Sequence, residues 1–304
     1  MPTPDYQSIM LPLLKLVSDG KEHSQADAIE IVAQQFHLTE DERKELLDSG
    51  RQAKFDNRVG WARTYLSKAG LIERTGRGRF CITPRGREVL KSNPPTINVP
   101  FLMKYPEFRQ FHNSAHRINH QNGPTAPDDP IQTPEETLEL SYQNLRAKVA
   151  QELLERVMAC SPRFFEQLVV DLLVAMGYGG SRKDAGQAVG QSGDGGVDGI
   201  IKEDRLGLDV VHIQAKRWKD TVGRPTVQAF AGSLEGYRAR KGVLITTSQF
   251  SQEAKGYVNN IEKKIVLIDG EQLAQLMLDY GIGVSEVATY TVKQVDLDYF
   301  ADGQ

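Results

Sequence analysis

The run Gly193-Asp194-Gly195-Gly196-Val197-Asp198-Gly199, followed by His212-Ile213-Gln214-Ala215-Lys216-Arg217-Trp218, decides how the C-terminal half of this chain is read. Residues around 197–202 and 209–216 carry the apolar, β-branched pattern of two short strands. Residues two apart on a strand project to one face, so Gln214 and Lys216 point together. If the two strands are neighbours, Asp198 joins them, and a carboxylate, an amide oxygen and an ammonium converge on one spot. The glycines beside them let a phosphate backbone come close. Hard oxygen donors suit Mg²⁺. A lysine in that position can orient or deprotonate an attacking water and stabilise charge developing on a phosphate.

Strands and helices alternate outward from this pair. Ser161-Pro162 opens a helix that ends near Gly177, and a further helix is expected over 225–237. A strand over Gly242–Thr247, a helix capped by Ser251, a short buried strand over Ile265–Ile268 and a last helix over Glu271–Tyr280 follow. Such alternation predicts an α/β layer with mixed strands. Upstream, 8 of the 14 prolines fall between Pro94 and Pro134, which predicts an extended linker over 93–134 with room for one short helix. Thr133, Pro134 and Glu136 signpost the start of a long helix over 135–160. Leu138, Tyr142, Leu145, Val149, Leu153 and Val157 recur along it at three- and four-residue spacing. That stripe could pack on the C-terminal unit or on a second copy of itself.

Residues 1–92 read as a separate unit. Helical periodicity runs over 5–17 and 24–36, and residues 57–69 form a third amphipathic helix with Val59, Ala62, Tyr65, Leu66 and Ala69 inward. Its outer face is expected to present Arg58, Arg63, Thr64, Ser67 and Lys68. Leu71–Arg74 and Phe80–Thr83 then read as a hairpin whose tip, Thr75-Gly76-Arg77-Gly78-Arg79, carries glycines for tight backbone and arginines for phosphate. Helices followed by a basic hairpin give the order of a winged helix-turn-helix. Its third helix would enter a major groove while Arg77 and Arg79 follow the backbone. The competing reading is a winged helix used for protein contacts.

Charge sharpens this division. The formal net charge is −3, yet residues 51–91 hold 11 Lys/Arg against 3 Asp/Glu, while residues 1–50 hold 4 against 10. One basic block inside an acidic chain is either a footprint for nucleic acid or a solvated basic face. Composition, at 39% hydrophobic and 25% charged, excludes disordered, collagen-like and coiled-coil chains. No stretch has the roughly 18 consecutive apolar residues of a bilayer span, and the N-terminus lacks the form of a secretory signal. Cys81 and Cys160 lie far apart, which points to a reducing, cytoplasmic setting without disulfides or a cysteine-based zinc site. His112, His116 and His120 recur every four residues but lack the acidic partner of a His-Glu-x-x-His motif, so no transition-metal site is expected there. His212 is read as a partly buried strand residue.

An Asp followed after sixteen residues by Gln-x-Lys resembles the PD-(D/E)-x-K nuclease core in its D…Q-x-K form. The words GDGGVDG, IQAKRW and VGRP closely resemble the Mrr family of methyl-directed (type IV) restriction endonucleases, and residues 1–92 resemble that family's winged-helix domain. The resemblance implies that Asp198 is the metal-binding carboxylate and that Gln214 replaces a second acid as metal ligand. It also makes Lys216 the catalytic lysine, with Glu166, in Phe164-Phe165-Glu166-Gln167-Leu168, completing the site from the first core helix. It further implies Mg²⁺, hydrolysis of double-stranded, methylated DNA, and self-association to cut both strands. Gln214 departs from the wider superfamily in being neutral. Arg58, Arg63, Lys68, Arg77 and Arg79 are the expected DNA contacts. The expected fold class is α/β (α+β) and multi-domain: a winged helix over 1–92, the linker 93–134, a connecting helix 135–160, and a restriction-endonuclease-like mixed-sheet core with flanking helices over 161–304. Two alternatives stand beside it, a DNA-binding regulator with an inactive nuclease fold and a nuclease for branched DNA. Retention of Asp198, Gln214 and Lys216 weighs against the first, and the N-terminal unit against the second.

Overall fold

The structure, a computed structural model, describes residues 3–116, 132–179, 197–203, 208–293 and 295. It divides into two compact units, the first made of residues up to Tyr142 together with those from Val292 onward, and the second spanning Gln143–Thr291.

In the first unit, α1 (Tyr6–Leu16), α2 (Gln25–Gln35) and α4 (Lys54–Lys68) surround an apolar centre, with a short α3 (Glu40–Lys44) between the last two. Local chemistry starts each of the first three. Asp5 accepts the amides of Gln7 and Ser8, Ser24 accepts that of Asp27, and Thr39 with Glu42 forms a reciprocal capping box. Strands β1 (His23–Ser24), β2 (Ile72–Gly76) and β3 (Arg79–Ile82) form an antiparallel sheet in the order β1-β3-β2. Gly78 turns the β2–β3 hairpin at φ +64°, a backbone region that favours glycine. Ile9, Leu13, Val32, Phe55, Leu66, Ile72 and Phe80 fill the core, and α5 (Pro84–Lys91) closes it, started by Thr83.

The extended linker expected after residue 92 is corrected by the structure as far as it is described. Asn98 caps α6 (Val99–Leu102), and Pro106 opens α7 (Pro106–His116). Proline has no amide hydrogen to lose in a first helical turn, so these prolines start helices rather than prevent them. Ile97, Val99, Leu102 and Phe108 are buried in the same core as α1 and α4. Phe108 and Phe111 sit edge-on to Tyr65 of α4, with centroids 5.3 and 6.0 Å away. Helix α8 (Pro134–Ala159) begins at the expected box, with the Thr133 amide donating to Glu136 Oε2 at 3.0 Å. Of its apolar stripe, Leu153 and Val157 are buried in the second unit, whereas Leu138, Tyr142, Leu145 and Val149 are exposed.

The second unit is built on a four-stranded mixed sheet. β4 (Gly199–Lys202) pairs antiparallel with β5 (Val210–Lys216), and β5, β6 (Lys241–Thr246) and β7 (Lys264–Ile268) run parallel in that order. Helices α10 (Arg224–Gly236) and α11 (Gln252–Asn259) provide the two crossovers. Alternation divides the faces. Val211, Ile213 and Ala215 of β5 join Ile245 and Ile268 beneath α9 (Pro162–Ala175) and α12 (Gly270–Asp279). Leu244 and Ile265 face α10 and α11 with Phe230, Leu234 and Ala254. Gly242 permits this second layer to close, because a Cβ there would lie 2.7 Å from Phe230 Cζ.

Candidate active site

Strand periodicity places Gln214 and Lys216 on the α10 face of β5, opposite Ile213 and Ala215. Gln214 is 5% exposed, and Lys216 is half-buried at the strand end. The carbonyl of Lys216 is held by the Thr246 hydroxyl at 2.8 Å and by the amides of Trp218 at 3.0 Å and Thr247 at 3.3 Å. Thr246 and Thr247, both buried, therefore fix the backbone that carries the lysine. Sequence reading missed them. Their signal is only that polar residues end an otherwise apolar strand.

Asp198 is tied to the same strand twice. Its amide donates to Ile213 O at 2.8 Å, and its Oδ2 accepts the Ala215 amide at 2.8 Å. β4 begins at Gly199, paired with Ile213, so the strand proper stops short of Ala215. The carboxylate fills the place of the missing ladder acceptor. The expected adjacency of Asp198 to Gln214 and Lys216 thus has a specific cause, one backbone amide lying between the last two.

Glu166, on α9, joins the group electrostatically. Burial pushes its carboxyl above the ordinary value, the Asp198 charge pushes it the same way, and Lys216 and Arg163 oppose them. Two carboxylates and an amide offer oxygen donors beside an ammonium. Among the described residues no cluster of three or more His, Cys, Asp or Glu side chains has metal-holding geometry. A hard divalent cation still fits, because it neutralises the repulsion between Glu166 and Asp198 and needs few protein ligands beside phosphate oxygens. Asp198 and Gln214 are the residues that would hold it.

The neighbours have other tasks. Arg217 donates from Nη1 to Met158 O in the last turn of α8. His212 is 4% exposed against the Tyr237 ring, at 5.4 Å, and burial holds its imidazole below the ordinary value, as befits a core residue and not a base. Trp218 is exposed. Gly193–Gly196, including Asp194, lie outside the described residues.

In the first unit, Arg77 and Arg79 are exposed at the hairpin, with Arg79 Nη1 3.6 Å from Glu22. Lys68 is exposed, its ammonium 5.2 Å from the Phe111 centroid. Arg58 corrects the expected outer face of α4. It is 9% exposed, donates from Nε to Glu136 Oε1 at 2.7 Å, and donates to the carbonyls of Thr3 and Pro4. Its charge is consumed inside the unit. His112 is buried beside Phe108, with ring centroids 5.8 Å apart, the His116 side chain and His120 lying outside the described residues.

Comparison with known proteins identifies the family. A family model described as a restriction endonuclease, Mrr_cat, matches residues 157–277, and the model of the Mrr N-terminal domain matches residues 6–92. The chain is 37% identical to the type IV methyl-directed restriction enzyme EcoKMrr of Escherichia coli K12, over 99% of this chain and 100% of that protein. The chain belongs to the Mrr family of restriction endonucleases. This Mrr-family enzyme has a nuclease catalytic domain, and its second unit carries the mixed sheet on which Asp198, Gln214 and Lys216 are assembled. Among solved structures, the MspJI restriction endonuclease in complex with a 27-mer oligonucleotide is similar at a TM-score of 0.34 and 20% identity. That match covers 68% of this chain and 51% of the MspJI chain. No helix among the described residues is long and apolar enough to cross a membrane.

Proposed function

We propose that this Mrr-family enzyme hydrolyses phosphodiester bonds of methylated double-stranded DNA with Mg²⁺, at a site made of Asp198, Gln214, Lys216 and Glu166. The observation that carries this reading is the Asp198 carboxylate seated on the Ala215 amide, between Gln214 and Lys216. When bound, the cation supplies positive charge at the scissile phosphate and acidifies water. Asp198 and Gln214 would hold it through side-chain oxygens. Lys216 orients the attacking water, and its ammonium stabilises charge gathering on the phosphate oxygens. Glu166 adds negative charge that favours a cation at the site.

The first unit serves as a winged helix-turn-helix that holds the duplex, with Arg77 and Arg79 of the hairpin and Lys68 and Arg63 of α4 facing phosphates. Self-association brings two such sites to the two strands. Digestion of sequence-matched methylated and unmethylated plasmid with Mg²⁺ tests the substrate. Cutting confined to methylated DNA supports the reading. Equal cutting of both removes the methylation requirement but keeps the nuclease. Binding without cutting in either supports an inactive regulator instead.

A further inference from the structure

A cleft of about 120 Å³ lies in the first unit between the side of α4 and the β2–β3 hairpin. Arg63, Ser67 and Lys68 line it from the helix, and Arg74, Arg79 and Phe80 from the hairpin. Arg63 is half-buried, its guanidinium carbon 6.0 Å from the Phe80 centroid. Among the described residues no carboxylate pairs with it. Glu73, also at the cleft, accepts from the Cys81 thiol at 3.7 Å, and Glu22 lies against Arg79. Arg74 turns its Nε to Gly76 O at 3.1 Å, which steadies the hairpin and leaves its charge in place. Thr64 spends its hydroxyl hydrogen on Gly60 O, whereas the Ser67 hydroxyl has no partner among the described residues.

Burial, with Arg74 adding repulsion, pushes the Arg63 guanidinium below its usual range, yet an arginine remains charged. A desolvated cation without a counter-charge is costly to keep.

We infer that this cleft binds one backbone phosphate of DNA, taken by the Arg63 guanidinium and the Ser67 hydroxyl between helix and hairpin. The inference rests on the reading of this unit as the DNA-holding one, and it assigns the phosphate that sets the register of α4 on the duplex. The helical and hairpin cations surround the cleft from two sides. A phosphate oxygen pair accepts from both, and an uncharged base edge would leave them unneutralised. Phe80 keeps the Arg63 fork in place before DNA arrives.

A stability readout separates this role from a structural one. Arg63→Met keeps a long apolar stem against Phe80 and removes the charge. In chloride the variant should melt at or above the parent temperature. Inorganic phosphate, compared with chloride at equal ionic strength, stabilises any folded chain somewhat, but it should raise the melting temperature of the parent more than that of Arg63→Met. Duplex binding by the full chain, measured by anisotropy in EDTA, should weaken about tenfold or more. The slope of log affinity against log salt should shrink by about 0.9, one phosphate's share. If Arg63→Met binds DNA as the parent does while Arg77→Ala/Arg79→Ala binds weakly, the cleft is not a phosphate site and the DNA reading survives. If both variants bind as the parent does, the DNA reading itself fails. A variant that melts lower, or that gains as much from inorganic phosphate as the parent, also overturns the inference.

Discussion

The buried pair Arg58–Glu136 gives a prediction that can be worked from geometry. Arg58 is 9% and Glu136 6% exposed, and Nε donates to Oε1 at 2.7 Å. Glu136 also accepts the Thr133 amide, and Arg58 also donates to the Thr3 and Pro4 carbonyls, so the pair ties the chain start and the start of α8 to α4. Glu136→Gln keeps hydrogen-bonding atoms but leaves Arg58 as a buried charge without its counter-ion. Removing one partner of a buried pair costs about 3–5 kcal/mol, and retained hydrogen bonds argue for the lower end, about 3 kcal/mol. With a urea dependence of about 1–3 kcal/mol per molar, the midpoint should fall by about 1–3 M. The fluorescence of Trp61 reads this transition, because its indole donates to Glu135, the residue before Glu136, at 2.7 Å. A Trp218→Phe background removes the other tryptophan. The double variant Arg58→Met/Glu136→Leu replaces both charges with apolar groups and should return near parent stability. Its DNA-binding salt slope should equal the parent's, since Arg58 faces no phosphate. A loss below about 1 kcal/mol in Glu136→Gln, or a reduced salt slope in the stable double variant, would refute this reasoning.

Gln214→Leu should raise the Mg²⁺ needed for half-maximal cleavage steeply or abolish cutting, and Gln214→Glu should lower it, because hard cations favour carboxylates; Leu titrating like the parent would make Gln214 a packing residue. Arg77→Ala/Arg79→Ala should weaken binding to all duplexes alike and reduce the salt slope by about one to two units, and an unchanged slope would take the hairpin off DNA. Glu166 holds its proton more tightly in the folded than in the unfolded chain, so its contribution to stability is present at low pH and is lost as pH rises through the raised folded value. Glu166→Gln should therefore melt higher than the parent in EDTA at pH 8 and about equally near pH 4, a difference that calorimetry at the two pH values reads directly.

The placement of the candidate residues was legible because it follows a two-residue strand period. Gln214 and Lys216 share a face whatever surrounds them, and the Asp198 spacing lets β4 fold back on β5. What was hidden is non-local. Arg58 and Arg63 look alike on a helical wheel, and only the packing of Glu136, far along the chain, buries one. The prolines at 100 and 106 resembled linker punctuation, yet each lies in the first turn of a helix whose apolar residues complete the core. Thr246 and Thr247 act through hydrogen bonds to a neighbouring strand that no local pattern announces.

The most direct measurement is the single-turnover nicking rate of supercoiled, methylated plasmid by the parent and by Lys216→Ala, with melting temperature and DNA affinity taken on the same samples. In the proposed mechanism Lys216 serves the attacking water, while the Asp198 seat on Ala215 is a backbone contact that the substitution leaves intact. The parent should cut with Mg²⁺ and not in EDTA. Lys216→Ala should cut about 10²–10⁴-fold more slowly, with folding and DNA affinity unchanged. A folded Lys216→Ala that nicks at a rate comparable to the parent would contradict the assignment of this site.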